Sequence, residues 1–458
     1  NFRGGPPTDV ITKVTASGTA DEKQLAANGV DIGGFAAGSA ALRVTYLSRR
    51  DGAGEIDAAA DLTRMSITMD RFGYHKRPGA GAKGEVVALL DHDRISGISR
   101  LSLSGDGIDV QGTADTSNGR PNLLRLQRVK IGETTDFHGD VRFPDHSGDA
   151  YAISAEGTSI DLSSLFRPGT GKTPQPRPED QGPGTPFRAT IKFGRVLTGE
   201  GRFASDVTGD IDNDGRLTRS ARVDGLTHGR SPFRLALVPE GNTRRLSGSA
   251  ADAGGLLDIL DIMDDMSGGT MTVEGSYDDA RADHPLTGTA EISQFSIKGA
   301  PALGKVLQAM TLYGLFDAMS GPGLNFGRLI VPFRWAGDVL TLQNARASSS
   351  SLGFTAEGQV NLARRTADVK GTVVPAYFFN SLLGRIPVIG QIFSPEKGGG
   401  LFAATYTVTG PLASPNVAVN PLATLAPGFL RDLFDGVPTT TGPPDPSVHW
   451  SAPTVGNR

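Results

Sequence analysis

The chain has 458 residues, 38% of them apolar and only 7% aromatic, with 61 glycines. So little apolar mass excludes a set of thick globular cores and favours thin, extended sheet. Forty-five basic against 49 acidic side chains leave a net charge of -4, no footprint for nucleic acid, and the absence of cysteine excludes disulfides, thiol nucleophiles and thiolate metal sites while suiting an oxidising compartment.

The sequence starts at Asn1 without a methionine or a basic and apolar leader, so any signal peptide or membrane anchor is expected to lie outside it. Residues 1–166 read as period-two strands, as in "LSLSGDGIDV", where Leu101, Leu103, Ile108 and Val110 alternate with polar residues. "RPGTGKTPQPRPEDQGPGTP", 167–186, is proline-rich and nearly devoid of apolar residues, which predicts a linker or long loop interrupting the sheet. Its "GTGKT" imitates the end of a phosphate-binding loop, but the earlier glycine falls on Phe166 and no strand and helix flank it.

The alternation resumes over 187–300. "RATIKF" puts Ala189, Ile191 and Phe193 on one face, and "FRLALV" does the same with Phe233, Leu235 and Leu237. Between them "DIDNDG", Asp210 to Gly215, opens like a calcium loop, but Ala221 stands where a bidentate glutamate is needed, and Asn-Asp-Gly predicts a hairpin turn. The histidines of "DHD" (91–93) and "DHSGD" (145–149) also sit in turn contexts with no partner at ligand spacing. "AGGLLDILDIMDDM" predicts a helix near 254–266, with Leu256, Leu257, Ile259, Leu260 and Met263 opposite Asp258, Asp261 and Asp265.

From 301 to 436 three more amphipathic helical segments mix with strands. "PALGKVLQAMTLYGLFDAMSG" begins with Pro301 at a favoured first-turn position and ends at Gly321. "AYFFNSLLGRIPVIGQIFS", 376–394, is apolar and near the length of a membrane span, but Asn380, Arg385 and Gln391 interrupt it and Pro387 breaks it, so two short helices are expected. "APGFLRDLF" supplies the last. "GFTAEGQVNLA", "DVKGTV" and "LFAATYTVTG" are strands with Phe354, Ala356, Val360 and Leu362, then Val369 and Val373, then Phe402, Ala404, Tyr406 and Val408 on the oily face. Residues 437–458 are expected to be a disordered tail.

About 25 strands at ~4.8 Å each would give a sheet ~120 Å long if it never closes. The fold class expected is mainly β: an elongated, curled antiparallel sheet forming an open trough with an apolar interior, with a few short amphipathic helices toward the C-terminus. No nucleophile elbow, zinc-binding helix motif or local carboxylate pair occurs, so no catalytic residue, metal ligand or cofactor is nominated and the chain does not read as an enzyme.

From about Ala250 to Phe434 the sequence resembles the C-terminal region of AsmA-like proteins, the YhdP and TamB superfamily of bridge-like lipid transporters of the Gram-negative envelope. The resemblance rests on "ADAGGLLDILDIMDDMSGGTMTVEGSY", "LGKVLQAMTLYGLFDAMSGPGLNFGRLIVPF", "ARASSSSLGFTAEGQVNLARRTADVKGTVVPAY", "NSLLGRIPVIGQIF", "GGGLFAATYTVTGPLASPNVAVNPL" and "LAPGFLRDLF", in the family's order. It implies a periplasmic protein anchored in the inner membrane, with phospholipid as cargo between inner and outer membrane and an outer-membrane protein as a candidate partner at the C-terminal end. The family's amino-terminal transmembrane helix has no counterpart here, and the family is known for no catalytic motif.

Residues expected to line a lipid groove are Leu101, Leu103, Ile191, Phe193, Phe233, Leu235, Phe333, Trp335, Phe354, Val360, Val369, Phe402, Tyr406 and Val408. Membrane or end-cap contact is expected of Phe378, Phe379, Leu382, Leu383, Ile386, Val388, Ile389, Ile392, Phe393, Phe429, Leu430, Leu433 and Phe434. A closed sandwich burying the same strand residues is the competing arrangement. The alternative function is a scaffold or chaperone that offers β-edges to outer-membrane proteins during assembly; a polysaccharide-active β-solenoid would need parallel stacked coils and a carboxylate cleft.

Overall fold

A computed structural model describes residues 10–27, 32, 34–117, 119–146, 148–166, 184–309, 323–349, 352–375 and 403–422. Its strands are β1 (Val10–Asp21), β2 (Ala36–Arg49), β3 (Ala53–Asp61), β4 (Met65–Met69), β5 (Tyr74–Lys76), β6 (Lys83–Asp91), β7 (Arg94–Gly105), β8 (Ile108–Ser117), β9 (Arg120–Ile131), β10 (Thr135–Arg142) and β11 (Tyr151–Asp161). The series continues with β12 (Phe187–Gly199), β13 (Arg202–Asn213), β14 (Thr218–Leu226), β15 (Pro232–Glu240), β16 (Thr243–Ala250), β17 (Met266–Asp278) and β18 (Leu286–Ile297). It closes with β19 (Leu324–Ala336), β20 (Val339–Ser348), β21 (Leu352–Asn361), β22 (Thr366–Pro375), β23 (Ala403–Pro411) and β24 (Asn416–Leu422). Among the described residues four short α-helices accompany them: α1 (Glu22–Ala27), α2 (Ser163–Phe166), α3 (Ala253–Ile259) and α4 (Pro301–Ala309).

The strands form one long, curled, open sheet of 24. All but β4 and β5 follow one another side by side in chain order, β3 pairing directly with β6, so that β1 and β24 are the two outer edges. At ~4.8 Å per strand that row runs about 100 Å. Hairpins are built as their turn residues dictate. The "DHD" turn between β6 and β7 places His92 and Asp93 at φ 49° and 61°, the pair of left-handed conformations that a two-residue hairpin requires. The "DNDG" turn is a hairpin as expected: Asn213 Oδ1 accepts from the Gly215 amide and Asp214 Oδ1 from those of Arg216 and Leu217, all at 2.8 Å.

Two expectations need correction. The sheet is not wholly antiparallel, because β11 and β12 pair in parallel from Tyr151↔Phe187 to Asp161↔Leu197. A parallel neighbour requires a long return connection, which the proline-rich segment supplies, so the sheet continues without a break across it; residues 167–183, including "GTGKT", lie outside the described residues. Nor do the helices lie only toward the C-terminus, since α1 and α2 belong to the first half. α1 is opened by a reciprocal cap in which the amides of Asp21 and Gln24 each donate to the other's side chain at 2.9 Å.

The helix expected near 254–266 is shorter than its pattern. Asp252 caps α3, accepting from the Gly255 amide at 3.0 Å, and the helix ends at Ile259, with Asp261 in the left-handed region at φ 54°. Asp258, Asp261, Asp264 and Asp265 would crowd the negative end of the helix dipole if it continued. Only Asp258 of the expected acidic stripe is therefore helical. Residues 310–322, 376–402 and 423–458 lie outside the described residues, and with them the rest of the 301–321 helix, both later helical segments and the tail.

The two long sides of the sheet differ. Strand direction alternates, and the parallel pair shifts the alternation by one, so α1, the β4–β5 hairpin, α2, α3 and α4 all rise from one lip. Among the described residues the opposite lip carries direct turns and loops between neighbouring strands, with no helix. α3 touches β13 as well as β17 and β18. Strands four places apart are ~19 Å apart and a seven-residue helix is ~10 Å long, so the sheet bends around the helix.

Candidate functional site: the inner face of the curled sheet

Residues directly opposite one another on paired strands share a face. Following the pairing from Val14 on β1 gives Tyr46, Ile56, Ala88, Ile98, Ala114, Leu124, Val141, Ile153 and, across the parallel pair, Ala189. It then runs through Ile211, Ala221, Leu237, Leu246, Gly275, Gly288, Phe333, Leu342, Gly358, Val369, Val408 and Val417 on β24. Every strand of the long row contributes one residue, and none is charged. A second such row lies two residues nearer the helical lip, from Ala16 and Val44 through Leu101, Ile191, Val223, Leu235 and Val273 to Val331. A third includes Leu42, Leu103, Val129, Phe137, Phe193 and Val207, and later Phe233, Met271, Ile292, Phe354 and Val373.

Most outward positions between these rows are polar, with Val87, Ala236, Ile330 and Pro332 among the exceptions. Lys192 reaches Glu156 at 2.6 Å, Thr190 donates to Asp210 at 2.9 Å, Arg328 pairs with Glu291 at 2.7 Å and Lys370 with Glu357 at 2.9 Å. Asp210, Asp212 and Asp214 of the calcium-like stretch thus engage separate partners, Thr190, Arg188 and Arg219. Among the described residues no cluster of His, Cys, Asp or Glu could hold a metal ion.

All thirteen described residues of the expected groove set fall on the apolar face. Phe333, Val369 and Val408 are in the first row, Leu101, Ile191, Leu235 and Tyr406 in the second or its continuation, and Leu103, Phe193, Phe233 and Phe354 in the third. Trp335 and Val360 sit one row nearer the bare lip, joined through Leu340. Phe402 and the thirteen membrane or end-cap residues lie outside the described residues. Glycines of the rows were not singled out from the sequence, yet they shape the floor: at Gly248 an added Cβ would stand 2.7 Å from Val273 Cγ1 and 2.8 Å from Leu235 Cδ2. The neighbours lean over the glycine and keep the row continuous.

Accessibility separates the rows. Most of the first two are half-buried, whereas the third row in the second half is covered: Phe193, Val207, Phe233, Met271 and Ile292 join Leu256 and Ile259 of α3 and Val306 and Leu307 of α4 in one core. Each such helix side chain contributes roughly 1.5–3 kcal/mol by leaving water. The expected open trough is therefore narrowed by helices along one side. In the first half a smaller cluster forms, where Met69, Phe72 and Tyr74 of the β4–β5 insertion pack on Ile108, Val129 and Ile131.

Two polar groups strengthen the second half. Arg244, at the bare lip, makes a bidentate pair with Asp279 through Nε and Nη2 at 2.8–3.0 Å and donates Nη1 to the Thr218 carbonyl at 2.8 Å, with both side chains nearly buried. Tyr406 donates its hydroxyl to the Thr355 carbonyl at 2.7 Å, and burial pushes its phenol up to about 12. The tyrosine contributes stability that is complete below about pH 10 and lost as pH rises through the folded value.

No described helix is long and apolar enough to cross a membrane. Comparisons with protein-family models, curated proteins and solved structures found no match.

Proposed function

We propose that the protein is a bridge-like lipid transport protein of the bacterial envelope, carrying phospholipid across the periplasm between inner and outer membrane along the inner face of its sheet. The observation that carries this reading is the uncharged row running from Val14 to Val417 without a missing strand. A phospholipid with about 30 methylenes, at ~0.8 kcal/mol each, would lose on the order of 25 kcal/mol by exposing its tails to water. A continuous apolar floor removes most of that barrier. Because neighbouring strands present similar aliphatic surface, a tail finds no deep well along the way, and the open mouth leaves room for the head.

The first two rows stay open along both halves, and where no helix or insertion covers the third the floor widens to about 14 Å, enough for a pair of acyl tails side by side. The alternating hairpins do not suit the solenoid alternative, whose coils stack in parallel. The scaffold reading draws on β1, whose outer edge over Val10–Asp21 has no partner strand among the described residues, an edge that suits an added strand.

Lipid analysis of mildly purified protein, followed by transfer of fluorescent phosphatidylethanolamine between vesicles, distinguishes the two. A conduit retains phospholipid and accelerates transfer. Val273→Asp, which places a charge in the second row, should slow transfer by at least about tenfold, while Thr272→Asp on the outer face leaves it unchanged. Protein free of lipid, or equal loss from the two substitutions, would refute the conduit.

A further inference from the structure

Two side-chain contacts run from the helical lip to the bare lip, across the mouth of the trough. Asp261, just beyond α3 in the β16–β17 connection, accepts from Arg202 Nη1 at 2.6 Å and faces Arg365 Nη1 at 3.5 Å. Arg202 begins β13 on the helical lip, but Arg365 lies in the β21–β22 turn of the bare lip. Lys305 of α4, in the β18–β19 connection, donates to the Pro415 carbonyl at 2.6 Å, and Pro415 belongs to the β23–β24 turn, again on the bare lip. Each contact joins connections five places apart in the strand order. The same offset occurring twice is what a regularly coiling sheet produces, and it brings one lip over the other.

The two crossings differ in how firmly they are held. α4 is seated by Val306 and Leu307, 2% and 0% exposed, and the Pro415 that it meets is fully buried. At α3 the helix body is equally fixed by Leu256 and Ile259, but the link beyond it is not: the Arg365 side chain is 51% exposed and stands on a four-residue turn. Asp261 keeps its closer partner Arg202 when Arg365 leaves, so opening strands no buried charge.

We propose that α3 and α4 are straps across the trough, α4 a fixed clasp and the Asp261–Arg365 pair a releasable latch, so that cargo moving through the second half must pass a gate between β16 and β22. The gate rests on the lipid-conduit reading for its purpose. Its existence does not. A lipid sliding along the floor with its head in the mouth goes no further than the fixed α4 clasp, so it enters or leaves the trough at this crossing, and the pair must part for the head to pass.

The absence of native cysteine allows a clean test. In the Asp261→Cys, Arg365→Cys double variant, a short bis-methanethiosulfonate crosslinker, which forms a disulfide with each cysteine as methanesulfinate leaves and is cleaved by reductant, should join the two lips and slow transfer of fluorescent phosphatidylethanolamine between phosphatidylethanolamine and phosphatidylglycerol vesicles by about tenfold or more. Cleavage should restore the rate, and cysteine-free protein should not respond. Failure to crosslink, or a crosslink without effect on an otherwise active protein, overturns the gate and leaves the conduit standing. If cysteine-free protein transfers no lipid, the conduit fails instead. Spin labels at Ile262 and Arg364, which leave Asp261 and Arg365 in place, then decide the latch: short and long distances together support release, and a single short distance overturns it.

Discussion

The sheet up to β11 and the sheet from β12 onward have the same floor and different roofs. Both continue the apolar rows in register, and the parallel pair passes Ile153 to Ala189 without a step. In the first half the longest insertion lies along its own lip: Tyr74 donates to the Asp106 carbonyl and Ser164 of α2 to that of Arg71, all of them on the helical lip. In the second half α3 and α4 reach over to the other lip and bury the third row. Strands set the chemistry of the trough, and connections decide how far it is open. The parallel pair matters to that division, because without its shift the helices of the two halves would rise from opposite lips.

That contrast predicts a stability gradient. The largest effect should come from Asp279→Ala, which leaves the Arg244 guanidinium buried without its carboxylate and should cost about 3–5 kcal/mol. Hydrogen exchange should localise the loss to β14–β17, and an undiminished second half would contradict the account. Next, Leu307→Ala should cost about 2–5 kcal/mol in denaturant unfolding, because the fully buried side chain leaves a cavity under α4. Leu103→Ala, a half-buried first-half counterpart, should cost only about 1 kcal/mol, and equal losses would erase the distinction. The smallest effect should follow Lys192→Ala on the outer face: its pairing with Glu156 raises its own pKa, but the pair is solvent-exposed and the melting temperature should not move.

Much of this was legible in the sequence, because period-two alternation fixes which side chains share a face whatever the neighbouring strand turns out to be. Phe233, Leu235 and Leu237 could be assigned together from "FRLALV" alone. Long-range placement was not legible. Nothing local marks Arg365 as the partner of Asp261, or shows that the parallel β11–β12 pair keeps α1 and α4 on one lip. The acidic run after α3 reads as a helical stripe until the helix dipole is counted against it. Nothing local marks Lys76 either, yet it is fully buried, with Nζ donating to the Met65 and Leu62 carbonyls at 2.7 and 3.0 Å and so pinning the β4–β5 insertion. Only the fold creates that carbonyl cage.

Photo-crosslinking to phospholipid tails tests the shared floor most directly. With a photoreactive residue placed singly at Ile98, Ile153, Val223 or Thr272 in lipid-loaded protein, the first three positions, spread along the apolar rows of both halves, should each label acyl chains, and outward-facing Thr272 should not. Labelling at Thr272 equal to the rest, or confined to one of the three inward sites, would contradict a continuous path.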